Sequence, residues 1–158
     1  MRRVICALVL MLLAVLAAGC EPSGRTVILG DSHAYGPGSW PTLLPCEVTV
    51  QSWPGWTLQA SMDDPLASVE AGDRVILALG FNDLGSSDWA ARRDAVIARL
   101  QARGATVQVA TTMPLSLQYP LGEVLDPGED KGDHVHLSAS AQEAVAAAAA
   151  PAICGGGS

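Results

Sequence analysis

Three short polar stretches of the 158-residue chain carry groups able to do chemistry together: Gly30-Asp31-Ser32, Gly80-Phe81-Asn82-Asp83 and Asp133-His134-Val135-His136-Leu137-Ser138. A serine hydroxyl is a poor nucleophile until a base removes its proton, and imidazole is the side chain whose basicity suits that task near neutral pH. Ser32 and His136 fill those two roles. The second ring nitrogen of such a base must be held by an acceptor that also stabilises the imidazolium, and Asp133, three residues earlier, can do so locally. The chemistry implied is acyl transfer, in which negative charge grows on a carbonyl oxygen and needs fixed donors. His33 and His134 are the other two histidines; His33 is read as a surface or core-edge residue, a place at the pocket border being the alternative, and His134 as pointing away. Asp31 and Asp83 are read as structural acceptors that hold the turns presenting Ser32 and Asn82.

The first two stretches follow segments that read as strands, and the third stands just ahead of the last expected helix. Thr26–Leu29, Arg74–Leu79 and Thr106–Ala110 are nearly continuous apolar runs suited to parallel strands covered on both faces, and Glu47–Gln51 alternates. A helix is expected over Asp88–Arg103, capped by Ser86 or Ser87 and ended by Gly104, with Trp89, Val96, Ile97 and Leu100 on one face. A second should run over Ala139–Ala150, opened by a Ser140/Glu143 capping box and stopped by Pro151, and a weaker one over Pro65–Glu70. The alternation of strands and helices predicts an α/β fold with a parallel sheet of four or five strands between helix layers, the fifth strand depending on the Pro- and Gly-rich stretch 114–132. In such sheets ligands bind beyond the carboxyl ends of the strands, where the polar stretches fall.

In their order along the chain, Gly-Asp-Ser at 30–32, Gly55 after the second strand, Gly-x-Asn-Asp at 80–83 and Asp-x-x-His at 133–136 resemble the four blocks of the SGNH, or GDSL, hydrolase family. The resemblance spans residue 27 to about residue 147. It implies a three-layer α/β/α sandwich of flavodoxin-like order and a serine esterase that works through an acyl-Ser32 intermediate, with no metal or organic cofactor. It implies the triad Ser32, His136 and Asp133, and an oxyanion hole made of the backbone N–H of Ser32, the backbone N–H of Gly55 and the side-chain amide of Asn82. One departure concerns the second block, where Gln51-Ser52-Trp53-Pro54 stand in place of the family's frequent Asn and extra Gly. Trp53, Trp56 and Phe81 flank the oxyanion positions, either as an apolar or sugar-stacking wall or as packing of the sheet edge. Two other classes stay open: a metal-dependent hydrolase using Asp31, Asp133, His134 and His136, and a non-catalytic lipid-anchored binding module.

Arg2 and Arg3 ahead of an apolar stretch from Val4 to Ala18 read as an export signal, residues 1–19. Ala17-Ala18-Gly19-Cys20 resembles a lipoprotein lipobox, with Ala17 where Leu is usual, so Cys20 is expected to carry a lipid and anchor the chain to a membrane outside the cytoplasm. Ordinary cleavage and secretion is the alternative. Residues 20–25 form a tether, 26–154 the hydrolase domain and 155–158 a tail. Without the two arginines of the signal, 7 basic groups face 16 acidic ones, which disfavours nucleic acid and anionic surfaces as partners. An ester of small-molecule, glycan or lipid type is the expected substrate, and a monomer the expected state. With Cys6 removed and Cys20 acylated, Cys46 and Cys154 remain; in an oxidising compartment they are expected to pair at the amino end of the sheet, the alternative being two unrelated thiols. Aromatic residues are only 4% of the chain and alanine fills 146–150, so the core is expected to be aliphatic and small.

Overall fold

The computed structural model describes residues 24–58, 63–83, 86–110 and 136–155. The expected signal segment, Cys20, the stretch 114–132 with its possible fifth strand, Asp133, His134 and the last three residues lie outside the described residues. Four strands, β1 (Thr26–Gly30), β2 (Thr49–Ser52), β3 (Arg74–Ala78) and β4 (Thr106–Val109), pair in parallel in the order β2-β1-β3-β4. The chain is thus an α/β protein, as its apolar runs predict. The two central strands are the most apolar, and Val27, Ile28, Leu29, Val75, Leu77 and Ala78 are fully buried. β2 starts at Thr49, later than the expected Glu47, because its neighbour β1 offers it partners only from Val27, opposite Thr49, to Gly30, opposite Ser52.

Alternation along the strands sends side chains to two separate cores. Val27, Leu29, Val75 and Leu77 point to the face covered by α1 (Asp63–Ala67) and α2 (Trp89–Ala102), packing with Leu66, Val69, Val96 and Leu100. Ile28, Ile76 and Ala78 point to the other face, covered by α3 (Ala139–Cys154) through Ala146 and Ile153. Small alanines let α3 approach this face closely. The expectation of a wholly small core fails at one place: Trp40, 1% exposed, fills the space beside α3.

Helix ends depart from the expected caps in informative ways. Asp88, not Ser86 or Ser87, is the first cap of α2; Ser86 instead bonds the Asp88 carboxylate. The end of α2 is the expected one: Gly104 N–H donates to the Gln101 carbonyl and Ala105 N–H to that of Leu100, a Schellman closure. Trp89 leaves the apolar face and lies exposed, with the Arg93 guanidinium 5.0 Å above its ring. In α3 the cap is Ser138, whose Oγ accepts from Ala141 N–H, so Ser140 and Glu143 fall inside the helix rather than forming a box at its start.

Pro151 does not stop α3, which continues to Cys154. Proline removes one N–H donor and crowds the preceding turn, but tertiary contacts hold the last turn in place. Arg74, at the start of β3, donates to the Ile153 carbonyl at 2.9 Å and also to that of Ala152. The Cys154 sulfur lies 2.00 Å from that of Cys46, just ahead of β2. The disulfide thus sits at the amino end of the sheet, opposite the polar stretches. At the same end Asp73, 2% exposed, ties β1 to β3 by accepting Arg25 N–H at 3.0 Å, the Arg25 guanidinium at 2.8 Å and Glu70 N–H at 2.9 Å.

Candidate active site

The sheet order makes the chain turn from β1 to β2 on one side and then cross to β3 on the other, so the switch in direction falls beside β1, where a crevice forms in sheets of this order. Ser32 stands there, opening a 3₁₀ turn, Ser32–Ala34, immediately after β1. Gly30 makes this abrupt reversal possible: a Cβ at position 30 would lie 2.4 Å from the Ala34 Cβ. Asp31 is buried and its Oδ1 accepts His33 N–H at 3.0 Å, which fixes the turn from inside. Ser52 at the end of β2 and Ser39 both donate to the Ala34 carbonyl, at 2.9 and 3.1 Å, and fix it from outside. Ser32 itself is half-buried.

Beyond β2 the chain makes a tight turn in which Trp56 N–H donates to the Trp53 carbonyl. Pro54 and Gly55 occupy its corners, and Gly55 has φ +79°, the arrangement of a turn with proline first and glycine second. Space around Gly55 is open, so its backbone angle, rather than a close neighbour, calls for glycine. Beyond β3, Phe81–Asp83 forms another 3₁₀ turn. From it the Asn82 amide donates to the Trp56 carbonyl at 2.8 Å, joining the second and third strand-end loops. Asp83, 2% exposed, accepts Leu58 N–H at 2.9 Å through one oxygen and pairs with Arg92 of α2 at 3.0 Å through the other. One buried carboxylate therefore sets loop, turn and helix relative to one another, next to Asn82.

The fourth stretch comes from the opposite layer. His136 lies on a bend two residues before the Ser138 cap of α3. One turn into that helix Gln142 accepts Trp40 N–H at 2.8 Å and donates to the His33 carbonyl at 3.4 Å. The start of α3 is thereby fastened to the Ser32 turn, and the His136 ring comes to 5.5 Å from the His33 ring, centroid to centroid, tilted by 40°. His33 is 3% exposed, a buried neighbour of His136, so of the surface and core-edge readings the surface one does not hold.

The structure thus brings Ser32, by way of its neighbour His33, to the His136 segment, and joins the Gly55 loop to Asn82. Asp133, the expected partner of His136, lies outside the described residues. Of the aromatic candidates, Trp53 is 59% exposed and meets Tyr35, 47% exposed, edge-on at 5.9 Å, while Trp56 packs partly against the α1/α2 core. Sequence reasoning did not single out Gln142, Arg92 or Tyr35; a lone Gln on a helix carries no signal of a partner 102 positions away. Among the described residues no three His, Cys, Asp or Glu side chains gather as a metal site, and no helix is long and apolar enough to cross a membrane. Comparison with protein-family profiles, curated proteins and solved structures gave no match to the chain.

Proposed function

We propose that this chain is an exported serine esterase of the SGNH type, folded as a flavodoxin-like three-layer sandwich, that hydrolyses carboxylic esters through an acyl-Ser32 intermediate. The observation that carries the reading is the meeting of the Ser32 turn with the His136 segment, His33 and His136 lying 5.5 Å apart at the carboxyl end of the sheet. His136 takes the Ser32 proton as Oγ adds to the ester carbonyl carbon. The resulting oxyanion is held by the N–H groups of Ser32 and Gly55 and by Asn82, whose amide has a second N–H besides the one given to Trp56. Collapse breaks the bond to the alkoxy oxygen, which leaves as the alcohol with the proton from His136. Water, deprotonated by His136, then attacks the acyl carbon, and the carboxylic acid departs as Ser32 regains its proton. Asp133 orients the imidazole. An export signal in residues 1–19 and a lipid on Cys20 place the reaction outside the cytoplasm, on esters of glycans, lipids or small molecules with short acyl groups.

The test is hydrolysis of aryl esters of graded acyl length by the purified chain, with and without EDTA. The reading expects turnover that is greatest for acetate, survives the chelator and is lost in Ser32→Ala. Turnover abolished by EDTA, or unchanged in Ser32→Ala, overturns it.

A further inference from the structure

His33 is left unused by the chemistry above, yet its side chain is buried right beside Ser32. Histidines at loop positions are ordinarily partly solvated, whereas His33 is 3% exposed. Its backbone is clamped on both sides, by Asp31 Oδ1 on the N–H and by Gln142 on the carbonyl. Its ring lies against the ring of His136. His136 stands two residues ahead of the Ser138 cap of α3. A base delivers its proton efficiently only when held in one orientation, and displacement by about 1 Å can cost on the order of 100-fold in rate.

We infer that His33 is a positioning residue for His136: its clamped, buried ring is the wall that sets the His136 imidazole toward the Ser32 hydroxyl. The role of His136 as base rests on the acyl-serine reading; the packing of the two rings does not. Among the described residues, Asp31 and Gln142 hold the His33 backbone and the His136 ring meets the His33 ring. What His33 supplies is a flat ring in a fixed place.

The experiment compares His33→Ala, which removes the ring, with His33→Phe, which keeps a flat one; His33→Leu, which fills the volume without a flat ring, replaces the alanine variant if that fails to fold. Aryl-acetate kinetics and the NMR signals of the His136 ring are read on each folded protein. Removing the ring should lower kcat about tenfold or more, leave KM within about twofold, move the acid limb of the pH–rate profile, and shift or broaden the His136 signals. His33→Phe should recover most of the loss. Wild-type kcat with unmoved His136 signals in the ringless variant overturns the inference, as does a folded His33→Phe that is as impaired as His33→Ala. If the wild-type chain hydrolyses no ester, the acyl-serine reading falls while the His136 signals alone decide on positioning: perturbed without the ring, it stands; unmoved, it fails.

Discussion

Each proposed catalytic group is presented by neighbours that do no chemistry, and substitutions at the two kinds of position should separate cleanly. Ser32→Ala and His136→Ala should each lower kcat by several orders of magnitude while Tm moves little, because Ser32 is half-buried at a turn and His136 precedes its helix. Asn82→Ala should cost about 100-fold in kcat, roughly 3 kcal/mol of transition-state stabilisation. Asp83→Ala acts differently, leaving Arg92 without its buried partner and the Leu58 N–H without its acceptor. It should destabilise the fold by about 3 kcal/mol, a loss visible in chemical denaturation before any assay. Were Asp83→Ala as stable as wild type, the hub role given to this carboxylate would be wrong. The chemically active residue types were legible because Ser32 and Asn82 follow apolar runs and His136 stands just ahead of the last helix. Their supports were not: Gln142 acts on Trp40 and His33, 102 and 109 positions away, and only the fold brings them together.

At the scale of elements, the strands were readable because Val27–Leu29 and Val75–Ala78 are buried on both faces, which demands unbroken apolar runs. Boundaries were less so, since pairing decides them: β2 begins where β1 can first receive it, and α3 ends where the Cys46 disulfide and Arg74 let it end. Local rules alone would have stopped α3 at Pro151. Replacing that residue with alanine restores a backbone donor and relieves crowding, so Pro151→Ala should raise stability by about 1 kcal/mol, measured as a higher denaturation midpoint. The Cys46–Cys154 bridge closes a long stretch of chain, with a sequence separation of 108. Converting both cysteines to serine should cost about 2 to 4 kcal/mol and leave kcat/KM unchanged, because the bridge lies at the end of the sheet away from Ser32. A loss of activity without a loss of stability would place the bridge in the wrong part of the molecule.

For the molecule as a whole, the two ends of the sheet divide the work: the amino end carries the disulfide and the Asp73 cluster, and the carboxyl end carries the candidate site. Burial pushes the Asp73 carboxyl up, but hydrogen bonds from the Arg25 guanidinium and from the backbone N–H groups of Glu70 and Arg25, with the Arg25 charge, outweigh it and hold the group below the usual carboxylate range. A carboxyl depressed in the folded state stabilises the fold above its unfolded pKa and loses that contribution as pH falls through the folded one. Stability should therefore decline on acidification below about pH 4, and the stability gap between wild type and Asp73→Asn should narrow over the same range. The central claim is that Ser32 is a nucleophile activated by His136 across the crevice, and covalent capture tests it most directly. After treatment with an alkyl fluorophosphonate, peptide mass spectrometry should find the adduct on Ser32, with labelling strongly slowed in His136→Ala; an unlabelled Ser32, or labelling equally fast without the imidazole, would contradict it.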